Sequence, residues 1–176
     1  MDNPDFTMYK LLILLFLGLQ GRVNASCTEK NIAREGTATQ TDTYVDPIKN
    51  ISLSAARAID GIKHGRHYEF DFSHTITGGP AAWWLLTLPR VCAICQITVY
   101  NRYDAPQRIN GVKIWVGVGL TGGNYDGAEL IGTITYQSGT YLYDFSDLTV
   151  KGSSIQIQGG TSVLSLAEVE VFADSE

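Results

Sequence analysis

Short segments of alternating apolar and polar residues constrain the fold of this chain more than any other feature. Alternation runs through residues 112–118, 154–158 and 168–172, and it places Leu130, Ile134 and Tyr136 on one face of a further segment. A period of two is typical of strands buried on one face. Glycine-rich turns separate these segments, and only residues 52–59 form a short helical candidate. We therefore predict an all-β fold of two packed sheets.

The size and charge of the chain limit its classes of partner. Its 176 residues suffice for one domain with a sizeable core. With 13 basic and 18 acidic residues, the net charge is −5. An acidic protein is a poor match for nucleic acid or an anionic membrane, so neither is an expected partner.

The first 25 residues have the pattern of a secretory signal peptide. Lys10 precedes the apolar run Leu11–Leu19, and Val23-Asn24-Ala25 offers small residues at a cleavage site. The run is too short to span a bilayer, so no membrane insertion is expected. We predict a signal peptide over residues 1–25 and a secreted, extracellular domain over 26–176. The alternative is a signal anchor that stays attached.

Three cysteines, Cys27, Cys92 and Cys95, leave one thiol over if a disulfide forms. Cys92 and Cys95 lie three apart on a predicted strand and would point to opposite faces, so they are not expected to pair. We favour a Cys27–Cys92 disulfide, with Cys95 a buried thiol beside Ile97 and Val99.

No catalytic constellation stands out in the sequence. The three histidines, His64, His67 and His74, lack the helical spacing of a zinc site, and His64 is interpreted as an exposed polar residue. A polysaccharide-processing enzyme would need paired carboxylates, which no segment supplies convincingly. The chain is predicted not to be an enzyme.

The segment Asn101–Arg108 ends one predicted strand and turns through a proline into the next. Arg102 and Arg108 flank this turn and can converge on one point, with Asp104 between them to fix their conformations. Planar guanidinium groups suit adjacent hydroxyl groups of a sugar. The alternative is a surface loop with an ordinary arginine–aspartate pair.

Taken together, the motifs of the chain resemble those of the F-type lectin (fucolectin) family from Asn31 to Val171. His74 is followed after 27 residues by Arg102-Tyr103-Asp104 and then, after three more, by Arg108. The family spacer before the last basic residue is usually four. The other matching segments are Ala58-Ile59-Asp60-Gly61, Ser73-His74-Thr75, Trp83-Trp84, Asn110–Ile114 and Ala167–Val171.

The resemblance implies a jelly-roll β-sandwich of the discoidin or galactose-binding-like kind that binds L-fucose-bearing glycans. By matched position, His74, Arg102 and Arg108 form the polar triad, and His67 and Tyr68 line a niche for the 6-methyl group. One such pocket binds weakly, so useful avidity is expected only if copies assemble into a homo-oligomer. The main rival is a discoidin-like domain that binds phospholipid or a protein partner.

The resemblance also implies a structural calcium site. Its side-chain carboxylates would come from Asp60 and Glu168, with Asp71 where the family often has serine. Oxygen ligands of this number and charge suit Ca²⁺ better than zinc. Backbone carbonyls would come from Arg57, Ile62 and Ala167.

Two departures from the family affect the expected sites. An adjacent-cysteine pair that packs on the sugar ring is replaced by Ala105-Pro106, which we expect to act as a rigid apolar platform. The cysteines that usually tie the calcium loop to the last strand are Phe72 and Ala167 in this chain.

Overall fold

A computed structural model describes residue 27 and residues 30–66 and 69–174 of the chain. Within these residues the structure is built from antiparallel strands and short 3-10 helices. No helix in the described part is long and apolar enough to cross a membrane. The strands are β1 (Thr37–Gln40), β2 (Ser73–Gly78), β3 (Trp83–Asn101), β4 (Lys113–Gly117), β5 (Glu129–Thr133), β6 (Leu142–Phe145), β7 (Val150–Gln158) and β8 (Val163–Ala173). The 3-10 helices are Ala33–Glu35, Ala55–Ile59, Gly79–Ala81 and Pro106–Ile109.

Strand β3 is 19 residues long and belongs to both layers of the fold. Its first half pairs with β1 and β7, whereas its second half pairs with β8 and β6. The pairing with β7 continues across a register shift between Thr87 and Cys92, while the pairing with β1 ends at Thr87 and that with β8 begins at Ile94. The strand order is β2-β8-β3-β7-β4-β5, with β1 and β6 added along β3. This single-domain, all-β sandwich confirms the predicted fold class.

The core lies between the two layers and uses the apolar residues that the alternation predicted. Ile114, Ile155, Ile157, Val169 and Val171 are all fully buried. Each such side chain contributes roughly 1.5–3 kcal/mol relative to an exposed position. Alternation therefore identifies the inward faces of β4, β7 and β8 correctly.

The faces predicted for Leu130 and Val118 are wrong, since these side chains are 45% and 62% exposed. The register between β4 and β5 shifts next to Leu130, so Ile131 packs on the core in its place. A one-residue slip of this kind moves every following side chain to the other face. Val118 lies just beyond the end of β4.

Strand β7 is buried on its polar face as well as its apolar one. Gln156 is fully buried, where its side chain accepts from Gly123 N (3.1 Å) and donates to Asn124 O (2.9 Å). The glycine-rich loop 119–127 covers this face, so the polar residues of β7 hold the loop in place.

The disulfide joins Cys27 to Cys95, and the predicted Cys27–Cys92 pairing is wrong. Cys92 is the free thiol and is 8% exposed. The pairing of β3 with β8 shifts register between Ile94 and Gln96, so Cys95 is an extra residue outside the alternation that we assumed. Cys27 forms a β-bridge with Asp174 at the end of β8, and its Cα lies 5.7 Å from that of Cys95. As predicted, Cys92 and Cys95 do not pair with each other.

Candidate functional site

A cavity of about 290 Å³ lies where β2 and β3 reach the same end of the sandwich. These strands flank β8, with His74 opposite Ser165 and Asn101 opposite Leu166. The sheet thus brings His74 close to the residues that follow Asn101. The lining residues are Tyr44, Leu53, Phe72, His74, Arg102 and Arg108.

The imidazole of His74 is held by contacts on several sides. Its Nδ1 lies 3.2 Å from Ser165 Oγ, and the ring centroids of Tyr44 and His74 are 5.1 Å apart. The amide of Gln40 donates to the backbone carbonyls of Leu53 (3.2 Å) and His74 (3.1 Å). These contacts fix the ring at the cavity wall before any ligand arrives.

Arg102 is a buried cation with an unused donor. Only 7% of the residue is exposed, and its guanidinium lies 4.2 Å from the centroid of Phe72. Its Nε has no hydrogen-bond partner within the described residues. Burial lowers the pKa of Arg102, and the positive charge of Arg108 lowers it further, while Asp104 opposes both effects. Arginine stays charged at neutral pH despite such shifts, so the cavity wall presents a desolvated donor.

Arg108 is positioned by the tight turn that follows β3. Ala105 adopts a left-handed conformation with φ of 56° and accepts a hydrogen bond from Arg108 N at 3.2 Å. The Asn101 side chain donates to Pro106 O at 2.9 Å and closes the turn from the other side. The turn thus presents Arg108 at the cavity, where it joins Arg102.

The apolar part of the cavity differs from the expected platform. Pro106 is not among the lining residues, and the apolar wall comes from Tyr44, Leu53 and Phe72. Phe72 is two residues from His74, a strand spacing that could have predicted a shared face. No sequence pattern signals Tyr44 or Leu53, which reach the wall through backbone hydrogen bonds to each other and to His74.

The remaining predicted sugar-site residues lie elsewhere. Asp104 is outside the lining and acts on Arg102 through its charge. His67 and Tyr68 fall outside the described residues, so their role stays a prediction.

Residues 60–71 are here called the acidic loop, and its described residues 60–66 and 69–71 pack against β8 beside the cavity. Glu168 is fully buried; its Oε1 accepts from Gly61 N at 3.1 Å, and its Oε2 has no partner within the described residues. Burial raises the pKa of Glu168 to about 7, and the negative charges of Asp60 and Glu170 add to the rise. An unpartnered buried carboxylate oxygen next to a second carboxylate matches the donor set of a hard cation.

The other predicted calcium ligands lie in the 3-10 helix before the acidic loop, in the loop itself and on β8. Asp60 Oδ1 accepts from Ile62 N at 2.9 Å, and buried Ala167 precedes Glu168 on β8. The Arg57 side chain donates to the backbone carbonyls of Ser52 and Phe70 and so joins the residues before its 3-10 helix to the end of the acidic loop. Asp71 pairs with His64, with 2.6 Å between Oδ2 and Nδ1, and its role as a calcium ligand stays a prediction. His64 is half-exposed, as interpreted, but it is also an ion-pair partner.

Comparison with known proteins adds an independent line of evidence. No family model matches the chain. It is 31% identical over 149 residues to Fucolectin-5 of Anguilla japonica, covering 83% of this chain and 77% of that protein. The f-lectin of striped bass (Morone saxatilis) serum matches with a TM-score of 0.73 and 27% identity over 85% of this chain. The present chain spans about half of that lectin's length (49%).

A fucose binding module of Streptococcus pneumoniae is also similar, with a TM-score of 0.65 and 25% identity. The match covers 82% of this chain and 96% of the module. These relatives are lectins and a binding module, not enzymes, in agreement with the predicted lack of catalytic function. The identity to the eel lectin over most of both chains, on a shared sandwich, shows that the chain belongs to the F-type lectin (fucolectin) family.

Proposed function

We propose that the protein is a secreted lectin that binds L-fucose-bearing glycans through His74, Arg102 and Arg108. The observation that supports this most strongly is that His74, Arg102 and Arg108 line one cavity. Hydrogen bonds from charged donors such as these guanidinium groups are stronger than those between neutral groups. The names of the relatives, a fucolectin and a fucose binding module, support fucose as the ligand.

The lining residues suit a deoxy sugar with one polar and one apolar side. Two guanidinium groups can donate to adjacent oxygens, among them the axial 4-hydroxyl, and a neutral imidazole adds a further donor. Tyr44, Leu53 and Phe72 offer apolar surface to the ring and the 6-methyl group. A sugar without the axial hydroxyl would leave donors unpaired, at about 1–3 kcal/mol for each lost bond.

Binding without chemistry follows from the same lining. None of its six residues is a carboxylate, whereas glycoside hydrolysis uses a pair of carboxyl groups as acid and as base or nucleophile. The cavity therefore holds a glycan and leaves its bonds intact.

Secretion and assembly complete the proposal. The Cys27–Cys95 disulfide is typical of an oxidising compartment and supports export of the chain. A homo-oligomer would present several cavities at once and raise avidity without new contacts. Light scattering on the purified domain measures its assembly state.

Removal of one arginine tests the function. We expect Arg108→Ala to abolish retention on immobilised L-fucose, because the polar triad loses one of its two guanidinium groups. Arg90→Ala is the matched control, since Arg90 is an exposed arginine outside the cavity. Equal retention of wild type and Arg108→Ala would contradict the proposed function.

We also propose that Ca²⁺ binds at Asp60 and Glu168 and stabilises the fold. The ion would neutralise the buried Glu168 and join the acidic loop to β8. Stabilisation follows RT ln(1 + [L]/Kd), about 2.7 kcal/mol at a hundredfold excess of ion over Kd. A chelator should therefore lower the melting temperature of the wild type.

The calcium prediction has a matched pair of variants. Asp60→Asn should remove the chelator response, whereas Asp126→Asn, which changes an exposed aspartate, should keep it. Differential scanning calorimetry with and without chelator measures the shift. An unchanged wild-type melting temperature in chelator would argue against the ion.

A further inference from the structure

One cluster of side chains in the acidic loop, which includes the expected calcium ligand Asp71, is not explained by the sugar cavity or by the Asp60–Glu168 pair alone. His64 Nδ1 lies 3.2 Å from Glu69 Oε2 and 2.6 Å from Asp71 Oδ2. The three ligand atoms all lie within 4.8 Å of one another. His64 and Asp71, which are seven residues apart in the sequence, thus meet, and Glu69 lies beside them.

Asp71 supplies a second, independent observation. Its side chain is 6% exposed, and its Oδ1 has no hydrogen-bond partner among the described residues. His64 and Glu69 are the side-chain charges that act on Asp71. A carboxylate buried to this degree needs further positive charge or hydrogen-bond donors to offset its desolvation. The half-exposed imidazole of His64 and the backbone N–H groups of Arg66 and Asp71 supply only part of this.

The donor set identifies the class of ion. Ca²⁺ takes oxygen ligands, whereas an imidazole nitrogen with carboxylate oxygens is typical of zinc and similar divalent transition metals. Bonds of about 2.0–2.1 Å at a tetrahedral angle place two ligand atoms about 3.3 Å apart. The His64–Glu69 distance already matches, and the His64–Asp71 pair would widen around an ion.

We propose that His64, Glu69 and Asp71 bind a divalent transition-metal ion of the zinc class, at a site distinct from Asp60 and Glu168. With three protein ligands, a water molecule completes the coordination. The half-exposed His64 and Glu69 give the ion access from solvent. The expected form of the metal is therefore an exchangeable ion with one open position.

The location of the site gives the ion a structural effect. Gly65 accepts a hydrogen bond from Tyr103 N at 3.1 Å, and it lies so close to Arg102 that an added Cβ would be 3.0 Å from Arg102 Cα. An ion bound to His64 and Asp71 would bracket this residue and hold the segment against the residue that follows β3.

Titration calorimetry of the metal-free chain with zinc chloride tests the proposal. We expect one saturable zinc ion per chain, and at least tenfold weaker binding in His64→Ala and in Glu69→Gln. Both residues are exposed, so neither change should unfold the protein. Glu129→Gln, at an exposed carboxylate outside the cluster, should bind zinc as the wild type does.

Two further measurements distinguish this site from the proposed calcium site. Cobalt(II) should give the absorption of a tetrahedral nitrogen and oxygen environment in wild type and lose it in His64→Ala. Asp60→Asn should keep its zinc affinity. The proposal is overturned if wild type binds no zinc saturably, if His64→Ala binds it equally well, or if Asp60→Asn loses it to the same extent.

Discussion

The sugar cavity and the acidic loop lie side by side, yet the charges buried in them have opposite signs. In the cavity, Arg102 is packed on an aromatic ring and His74 is held by Ser165. At the acidic loop, Asp71 and the neighbouring Glu168 of β8 are buried, each with a carboxylate oxygen that lacks a partner within the described residues. The cavity thus buries a positive charge that is stacked on a ring, whereas the acidic loop and β8 bury negative charges.

The difference has a simple electrostatic origin. Burial lowers the pKa of Arg102, but the ordinary value is so high that the group stays charged. The same physical effect raises the pKa of Glu168 to about 7, so this carboxyl group takes up a proton near neutral pH. A buried arginine therefore stays charged and able to bind a neutral ligand, whereas a buried carboxylate needs a proton or a metal ion to offset its desolvation.

Phe72→Ala should have the largest effect on both regions, since Phe72 lines the cavity and directly follows the acidic loop. It is fully buried, lies under Arg102 and directly follows Asp71. We expect a loss of about 3–5 kcal/mol in the free energy of unfolding, from removal of a buried ring, together with weaker fucose binding. Urea unfolding and fucose titration measure the two effects.

Ile76→Ala is the control for this change, because Ile76 on β2 is 62% exposed. It should alter the free energy of unfolding by less than about 0.5 kcal/mol. If Phe72→Ala destabilises the fold without weakening fucose binding, the packing under Arg102 does not position its guanidinium.

Glu168→Gln should have an intermediate effect on the free energy of unfolding of the calcium-free protein. The folded-state pKa is raised, to about 7 from 4.5, so the favourable contribution of the protonated form is lost as pH rises through this window. Above pH 7 the glutamine variant should be more stable than wild type by on the order of 2–3 kcal/mol. The variant should also show no stabilisation by Ca²⁺.

The measurement is the free energy of unfolding in chelator at several pH values between 4 and 8. Other acidic groups contribute to both curves, so the difference between variant and wild type is the quantity to compare. A constant difference across this range would mean that Glu168 is not the buried acid that opposes folding.

Pro106→Gly should give the smallest effect, confined to the cavity. Since Pro106 is outside the lining, the change acts only through the rigidity of the turn that presents Arg108. Backbone freedom of about 0.4–1 kcal/mol corresponds to fucose binding weakened roughly threefold. Titration calorimetry measures the fucose affinity of both proteins. A tenfold loss of affinity would mean that Pro106 forms part of the apolar wall.

Alternation predicted the sandwich because burial on one face acts residue by residue along a strand. It failed where pairing between strands adds a residue, as at Leu130 and Cys95. Such bulges depend on the partner strand, and a single strand's sequence does not contain this information. The Cys27–Cys92 error has this cause, since the spacing of Cys95 from Ile97 and Val99 assumed regular pairing.

The residues of the candidate site also divide into those that local sequence patterns predict and those that only tertiary contacts bring together. His74, Arg102 and Arg108 came from motif spacing and line one cavity in the structure. Tyr44 and Leu53 reach the same wall by tertiary hydrogen bonds that no local pattern encodes. The pairing of His64 with Asp71 depends on how the acidic loop bends, which its sequence does not specify.

The β-bridge between Cys27 and Asp174 places the first and last described residues next to each other. A domain whose ends meet can be inserted into a surface loop of another protein without stretching it. The same closeness would let a linker of a few residues join the ends in a circular permutant, with new ends opened in the exposed turn at Ser138-Gly139. The cavity and the acidic loop would remain intact in such a rearranged chain.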